Sequence, residues 1–304
     1  MIFRFGHIGV LVAAILLSAC SKDDRSQDNT RVELQFVPIM QNLVKSAPQS
    51  ESQSEPTFPR DIVLGVHAWE YEPSTSAENG APLLSNATVA FTEGEWQLSN
   101  EAWWPSDGKL LAVVAYAPYT ATSAYVKGKG ICWEGVDLGN EDTPDLLYSE
   151  LHSGLRSGIG TVNLPMKHSL SSIDFALKHN AAEGESVAIT SLRVEGLRWK
   201  GSFQSQPQPT WSAEGDPQGK TFFSGSRVLN YESAVVGSTL PVIPQSLAGG
   251  SVTIGITSTR EGFADSYELT GKLPSTYLES GRHYTLTIAI NADKLDFVID
   301  IVRN

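Results

Sequence analysis

The sequence predicts an all-β protein of two tandem β-sandwich domains, and three observations carry that prediction. Short runs in which apolar and polar residues alternate recur along the chain. Glycine and proline punctuate the gaps between those runs, and no 3.6-residue apolar period is sustained. With 304 residues and 41% hydrophobic side chains, the chain can bury a substantial core in one or two domains.

The first strand is expected over Arg31 to Val37, where Val32, Leu34 and Phe36 alternate with Arg31, Glu33 and Gln35 and Pro38 closes the run. A Ser-, Gln-, Glu- and Pro-rich stretch from Ser46 to Pro59 reads as a long loop that ends at Arg60. Further strands are expected over Ile62–Trp69, Thr88–Phe91, Leu110–Ala117, Ser171–Leu177, Ser186–Val194, Ser251–Thr257, Tyr284–Ile290 and Leu295–Val302. The last two form a hairpin through the turn Asn291-Ala292-Asp293-Lys294, because Tyr284, Leu286, Ile288 and Ile290 share one face and Leu295, Phe297, Ile299 and Ile301 another. Leu146 to Leu155 could form a short helix. The glycines from Gly154 to Gly160 mark a domain boundary near residue 160, dividing the folded chain into 31–160 and 161–304.

Ahead of the first strand, Arg4, the apolar stretch Ile8 to Leu17 and Leu17-Ser18-Ala19-Cys20 have the layout of a cleavable export signal. A spanning helix needs about 20 apolar residues, and Arg4, Gly6 and His7 shorten this run below that length. Residues 1–19 are therefore read as signal and 20–30 as a polar tether. The segment resembles a bacterial lipobox. That resemblance implies diacylglycerol on the Cys20 thiol, cleavage before it and acylation, palmitate included, of the new amine. Ser21-Lys22-Asp23-Asp24 resembles the sorting signal of surface lipoproteins in the Bacteroidetes group, which implies the outer face of the outer membrane.

Removing residues 1–19 takes away only Arg4 among the charged side chains, so the net charge moves from −12 to −13. No basic stripe is left to bind nucleic acid or anionic lipid. With Cys20 acylated, Cys132 is the one remaining thiol, so no internal disulfide is expected, and Ile131-Cys132-Trp133 reads as a buried small hydrophobe.

Several motifs in order resemble the bacterial fimbrillins. They are Trp103-Trp104-Pro105, the strand ending Tyr116-Ala117-Pro118-Tyr119, Asp145-Leu146-Leu147-Tyr148, Val162 to Leu170 with Ile173-Asp174-Phe175, Leu240 to Gln245, and Gly281-Arg282-His283-Tyr284 with the terminal hairpin. The resemblance implies transthyretin-like sandwiches and a subunit of a type V pilus, exported as a lipoprotein. It also implies cleavage after an arginine by a trypsin-like protease, loss of the first strand, and partnership with other pilus subunits by donor-strand exchange. Arg60 is the candidate processing site, and Val32, Leu34 and Phe36 the displaced strand. Leu295 to Val302 is the segment available for donation, and shaft, tip and anchor positions all stay open.

Catalytic signatures are absent from the sequence: no Gly-x-Ser-x-Gly, His-Glu-x-x-His, phosphate loop or Cys-x-x-Cys occurs. Gly128-Lys129-Gly130 reads as a hairpin turn, and the Asn86-Ala87-Thr88 sequon carries little weight beside a bacterial signal. His67, His152, His168, His179 and His283 lack ligand spacing, although folding could bring one beside Asp145 or Asp174. No enzyme, metal or cofactor is expected. The alternative function is a monomeric surface lipoprotein that binds host or bacterial glycans or proteins through exposed aromatics. Trp211, flanked by loop-like Gln204 to Pro209 and Gly215-Asp216-Pro217, and Trp103 are its candidate sugar platforms.

Overall fold

The run Leu110–Ala117 explains how the central sheet is made. All eight of its residues are buried. Leu111, Val113, Ala115 and Ala117 enter one core, while Leu110, Ala112, Val114 and Tyr116 enter another. A strand covered on both faces reads as a continuous apolar run rather than as alternation.

The computed structural model describes residues 32–41, 58–106, 108–139, 144–157, 160–179, 185–229, 231–291 and 294–302. The export signal, Cys20, the tether and most of the Ser46 to Pro59 stretch lie outside them. In chain order the strands are β1 (Gln35–Met40), β2 (Leu64–Tyr71), β3 (Ala81–Thr92), β4 (Glu95–Leu98), β5 (Leu110–Ala117), β6 (Tyr125–Val126) and β7 (Gly130–Asp137). There follow β8 (Leu147–Tyr148), β9 (His152–Leu155), β10 (Thr161–His168), β11 (Ser171–His179), β12 (Glu185–Leu197), β13 (Lys200–Gln204) and β14 (Thr210–Glu214). The last six are β15 (Gln218–Val228), β16 (Ala234–Val242), β17 (Ser251–Arg260), β18 (Phe263–Lys272), β19 (His283–Ile290) and β20 (Leu295–Val302). Among the described residues the helical content is one 3-10 turn, Ala77–Asn79. The all-β expectation holds.

The largest sheet has the order β1-β10-β8-β5-β2-β3-β4, with β9 also on β5. Two four-stranded sheets, β16-β11-β19-β20 and β15-β12-β17-β18, share a core built from residues such as Phe175, Leu286, Ile189 and Ile254. A fourth sheet, β14-β13-β7-β6, joins a hairpin from each half of the chain. The expected terminal hairpin is present, in register from Ile290 opposite Leu295 to His283 opposite Val302.

Three expectations change. Leu146 to Leu155 is extended, not helical: Leu147–Tyr148 pairs with β5 and β10, and β9 pairs with β5, so free sheet positions capture a run too short to hold helix against them. The sheets do not divide at residue 160, because Thr161–His168 belongs to the first sheet and β7 pairs with β13 across the expected boundary. The glycines near 154–160 punctuate a connection within one sheet. Finally, the first strand runs through Pro38 to Met40, and Val32 is 45% exposed, outside the core.

Candidate functional site: the first strand and the turn at Arg60

Residues 32–41 lie between two backbone edges. At the start, the Leu34 N–H donates to Ala102 O at 2.8 Å and the Trp104 N–H donates to Val32 O at 2.9 Å, an antiparallel bridge centred on Glu33 and Trp103. Further on, β1 runs parallel to β10, from Gln35 opposite Thr161 to Met40 opposite Met166. The Gln41 N–H closes this ladder on Met166 O at 2.9 Å. Strand alternation therefore turns odd-numbered backbone groups toward β10 and even-numbered ones away. Pro38, which has no N–H, is even-numbered and costs no bond to β10. β1 also lies beside β4 at the opposite end of the same sheet, so this strand fills the seam that would otherwise separate the sheet's two margins.

Side chains fasten the strand as well. Leu34 and Phe36 are each 1% exposed and Pro38 is buried. Leu34 and Phe36 pack in a core with Leu64, Val66, Leu111, Leu147 and Leu164. Trp104 joins that core, with its indole N–H donating to Gly160 O at 3.2 Å.

A second anchor precedes the candidate cleavage point. Phe58 is buried and meets Trp96 edge-on at 5.6 Å, and Trp96 meets Phe91 edge-on at 5.4 Å. The Arg60 guanidinium sits 4.5 Å from the centre of the Phe91 ring, a cation on an aromatic face. Arg60 and Asp61 form an exposed turn that leads to fully buried Leu64 at the start of β2. Sequence reasoning placed Arg60 on the surface but missed Phe58 and its Trp96 socket. The signal was available: one large apolar residue at the end of a polar stretch.

The tryptophan expectations are corrected. Trp211 is buried at 8% exposure, its indole N–H donates to Ser169 O at 2.6 Å, and its ring centre lies 5.4 Å from that of Phe203. Flanking turns described its neighbours, while its own position in β14 faces the core. Trp103 is 39% exposed, but Trp104 beside it is turned inward, so the two offer no shared platform. Cys132 is half-buried rather than fully enclosed, and burial pushes its thiol pKa up.

Folding does bring histidines beside both named aspartates. His168 Nδ1 lies 2.6 Å from Asp145 at an exposed position. His283 Nε2 lies 3.1 Å from Asp174, its Nδ1 is 2.7 Å from Ser172 Oγ, and Thr239 donates to Asp174 at 2.7 Å. Ser172 and His283 are opposite one another on β11 and β19, so this is a cross-strand polar ladder on a sheet face. Among the described residues, no three His, Cys, Asp or Glu side chains are grouped to hold a metal.

His67, like His179, is buried. The Asn86 N–H donates to its Nδ1 at 3.3 Å, so Nε2 carries the proton and donates to Ser123 Oγ at 2.8 Å. Desolvation lowers its pKa to about 4. Asn86, in the left-handed region at φ 58, accepts from the Tyr116 hydroxyl at 2.6 Å and donates to Thr120 O at 3.0 Å. Tyr116 reaches it by lying across Gly65, where a Cβ would stand 2.4 Å from the ring. The sequon carboxamide is thus engaged at both ends within a structural network.

The profile of the fimbrillin-like family matches residues 55–301. No curated protein matches the chain. Among solved structures, a fimbrial protein from Bacteroides vulgatus superposes with a TM-score of 0.64 at 16% identity, covering 89% of this chain and 99% of that one. A protein described as a cell adhesion protein from Bacteroides ovatus gives 0.55 at 15% identity over 90% and 98%. Another so described, from Bacteroides uniformis, gives 0.50 at 18% identity over 90% and 98%. At these identities the likeness is one of fold.

Proposed function

We propose, from the premise that this chain belongs to the fimbrillin-like family, that it is a structural and adhesive subunit of a surface fimbria that assembles by exchanging its first strand. In this reading the chain is exported as a lipoprotein through Cys20 to the outer face of the outer membrane. Cleavage after Arg60 then breaks the covalent link between residues up to 60 and the body. A strand from another subunit fills the seam between the 102–104 segment and β10. The work is assembly, with no catalytic step and no cofactor.

One observation carries the reading. Between the strand that completes the first core and β2, the described residues include an exposed turn that contains an arginine, Arg60. An extended segment whose main chain bonds an open edge, and whose alternate side chains fill pockets, is the geometry of β-strand addition. The glycan-platform alternative loses its main residue, because Trp211 is buried.

The test is intact mass and N-terminal sequencing of the protein taken from the cell surface. A mature chain beginning at Asp61 supports strand surrender. A chain beginning at acylated Cys20 with Leu34 and Phe36 still attached overturns exchange for this subunit, leaving the lipid-anchored role.

A further inference from the structure

Resting on that reading, we infer that cleavage after Arg60 primes the seam without emptying it: the cut segment stays bound, and only a competing strand removes it. Two separate anchors lie on the segment that the cut would free. The first is residues 32–41, which bond the 102–104 segment on one side and β10 on the other and bury Leu34, Phe36 and Pro38. The second is Phe58, seated on Trp96.

Detaching the first anchor breaks two backbone edges together and leaves polar groups of β10 facing a slot lined by apolar side chains. Detaching either anchor alone leaves the other holding the segment nearby, so rebinding outruns escape. An incoming strand changes this balance. It takes over bonds and sockets as they are vacated, so no intermediate exposes the whole slot. Cleavage therefore acts as a licence for exchange, and the arriving subunit sets its timing.

The experiment uses the full chain with a recognition sequence for an unrelated protease inserted after Arg60, so that cutting does not depend on the natural site. Denaturing mass spectrometry verifies the cut, and native mass spectrometry with size exclusion follows the pieces. The expected result is co-migration of the two pieces, with release only after excess synthetic peptide of residues 32–41 is added. A Phe36→Ala chain is expected to lose its segment about a hundred- to several-thousandfold faster, the ratio that removal of a buried phenyl group implies. Separation of the pieces on cutting, with no peptide added, overturns the inference. The uninterrupted chain treated with an arginine-specific protease tests the other premise: if Arg60 resists while the inserted site shows retention, the processing reading falls and the retention inference stands.

Discussion

The first and last strands of this protein are both terminal pieces of sheet, and they are held in opposite ways. β20 pairs with its sequence neighbour β19, with eight opposed pairs in unbroken antiparallel register. β1 finds its partner in β10, Gln35 lying opposite Thr161, and it does so in parallel. Closing the second arrangement costs more chain entropy, because the ladder is earned only after the body between has folded. β20 is therefore a strand the chain makes for itself. β1 is a strand the finished body accepts, and a body that accepts one extended segment can accept another.

Truncating the inserted strand is the strongest way to break this contrast. Phe36→Ala should cost about 3–5 kcal/mol of stability, with amide exchange rising first across residues 32–41 and the β19–β20 ladder keeping its protection. Equal loss of protection at both ends would mean that β1 is as integral as β20.

The other end has its own lock. A Cβ on Gly271 of β18 would come within 2.5 Å of the Phe297 ring of β20. Gly271→Ala should therefore displace that ring at a cost of about 1–3 kcal/mol, seen as a lower urea midpoint. Near-UV change with protection kept across residues 32–41 would agree with the strand-specific lock, and an unchanged midpoint would refute it.

Acid should weaken the half that accepts β1. The folded pKa of His67, about 4, lies below the ordinary 6.5 because burial disfavours the charged ring. Its contribution is thus fully present above pH 6.5 and is lost progressively as pH falls toward 4, since the unfolded chain binds the proton more readily. With solvent screening allowed for, the loss is about 1–2 kcal/mol. Urea titrations across this range should show that slope, and His67→Gln should flatten it.

The smallest effect is expected at the turn. Phe91→Leu keeps bulk but removes the aromatic face beneath Arg60, an interaction of about 0.5–1 kcal/mol, so cleavage after Arg60 should quicken about two- to fivefold. An unchanged rate would show that Phe58, rather than the arginine contact, limits access to the turn.

Where the argument from sequence worked, the structure depends on neighbours in the chain. Leu110–Ala117 and the Tyr284 to Val302 hairpin were legible because two-residue alternation, apolar continuity and a four-residue turn are local properties. Pro38 was misread as a stop because its effect depends on which edge its missing N–H faces, and that is known only once β10 is in place. Trp211 was misread because loop-like flanks say nothing about a residue between them that reaches Ser169 O. Phe58 went unremarked because its significance lies in Trp96, a residue far along the chain.

By itself, then, the sequence determined that the fold is all-β, where nine of the twenty strands among the described residues lie, and that an arginine ends the polar stretch between the first two. Tertiary structure alone decided that β1 lies parallel to β10, that Val32 is left outside, that β7 joins β13 across the expected boundary, and that Phe58 is a second anchor. The physical reason is that alternation specifies which face of a strand is apolar, whereas pairing is chosen by competition among all available edges and sockets. That competition is settled only when the whole body has packed.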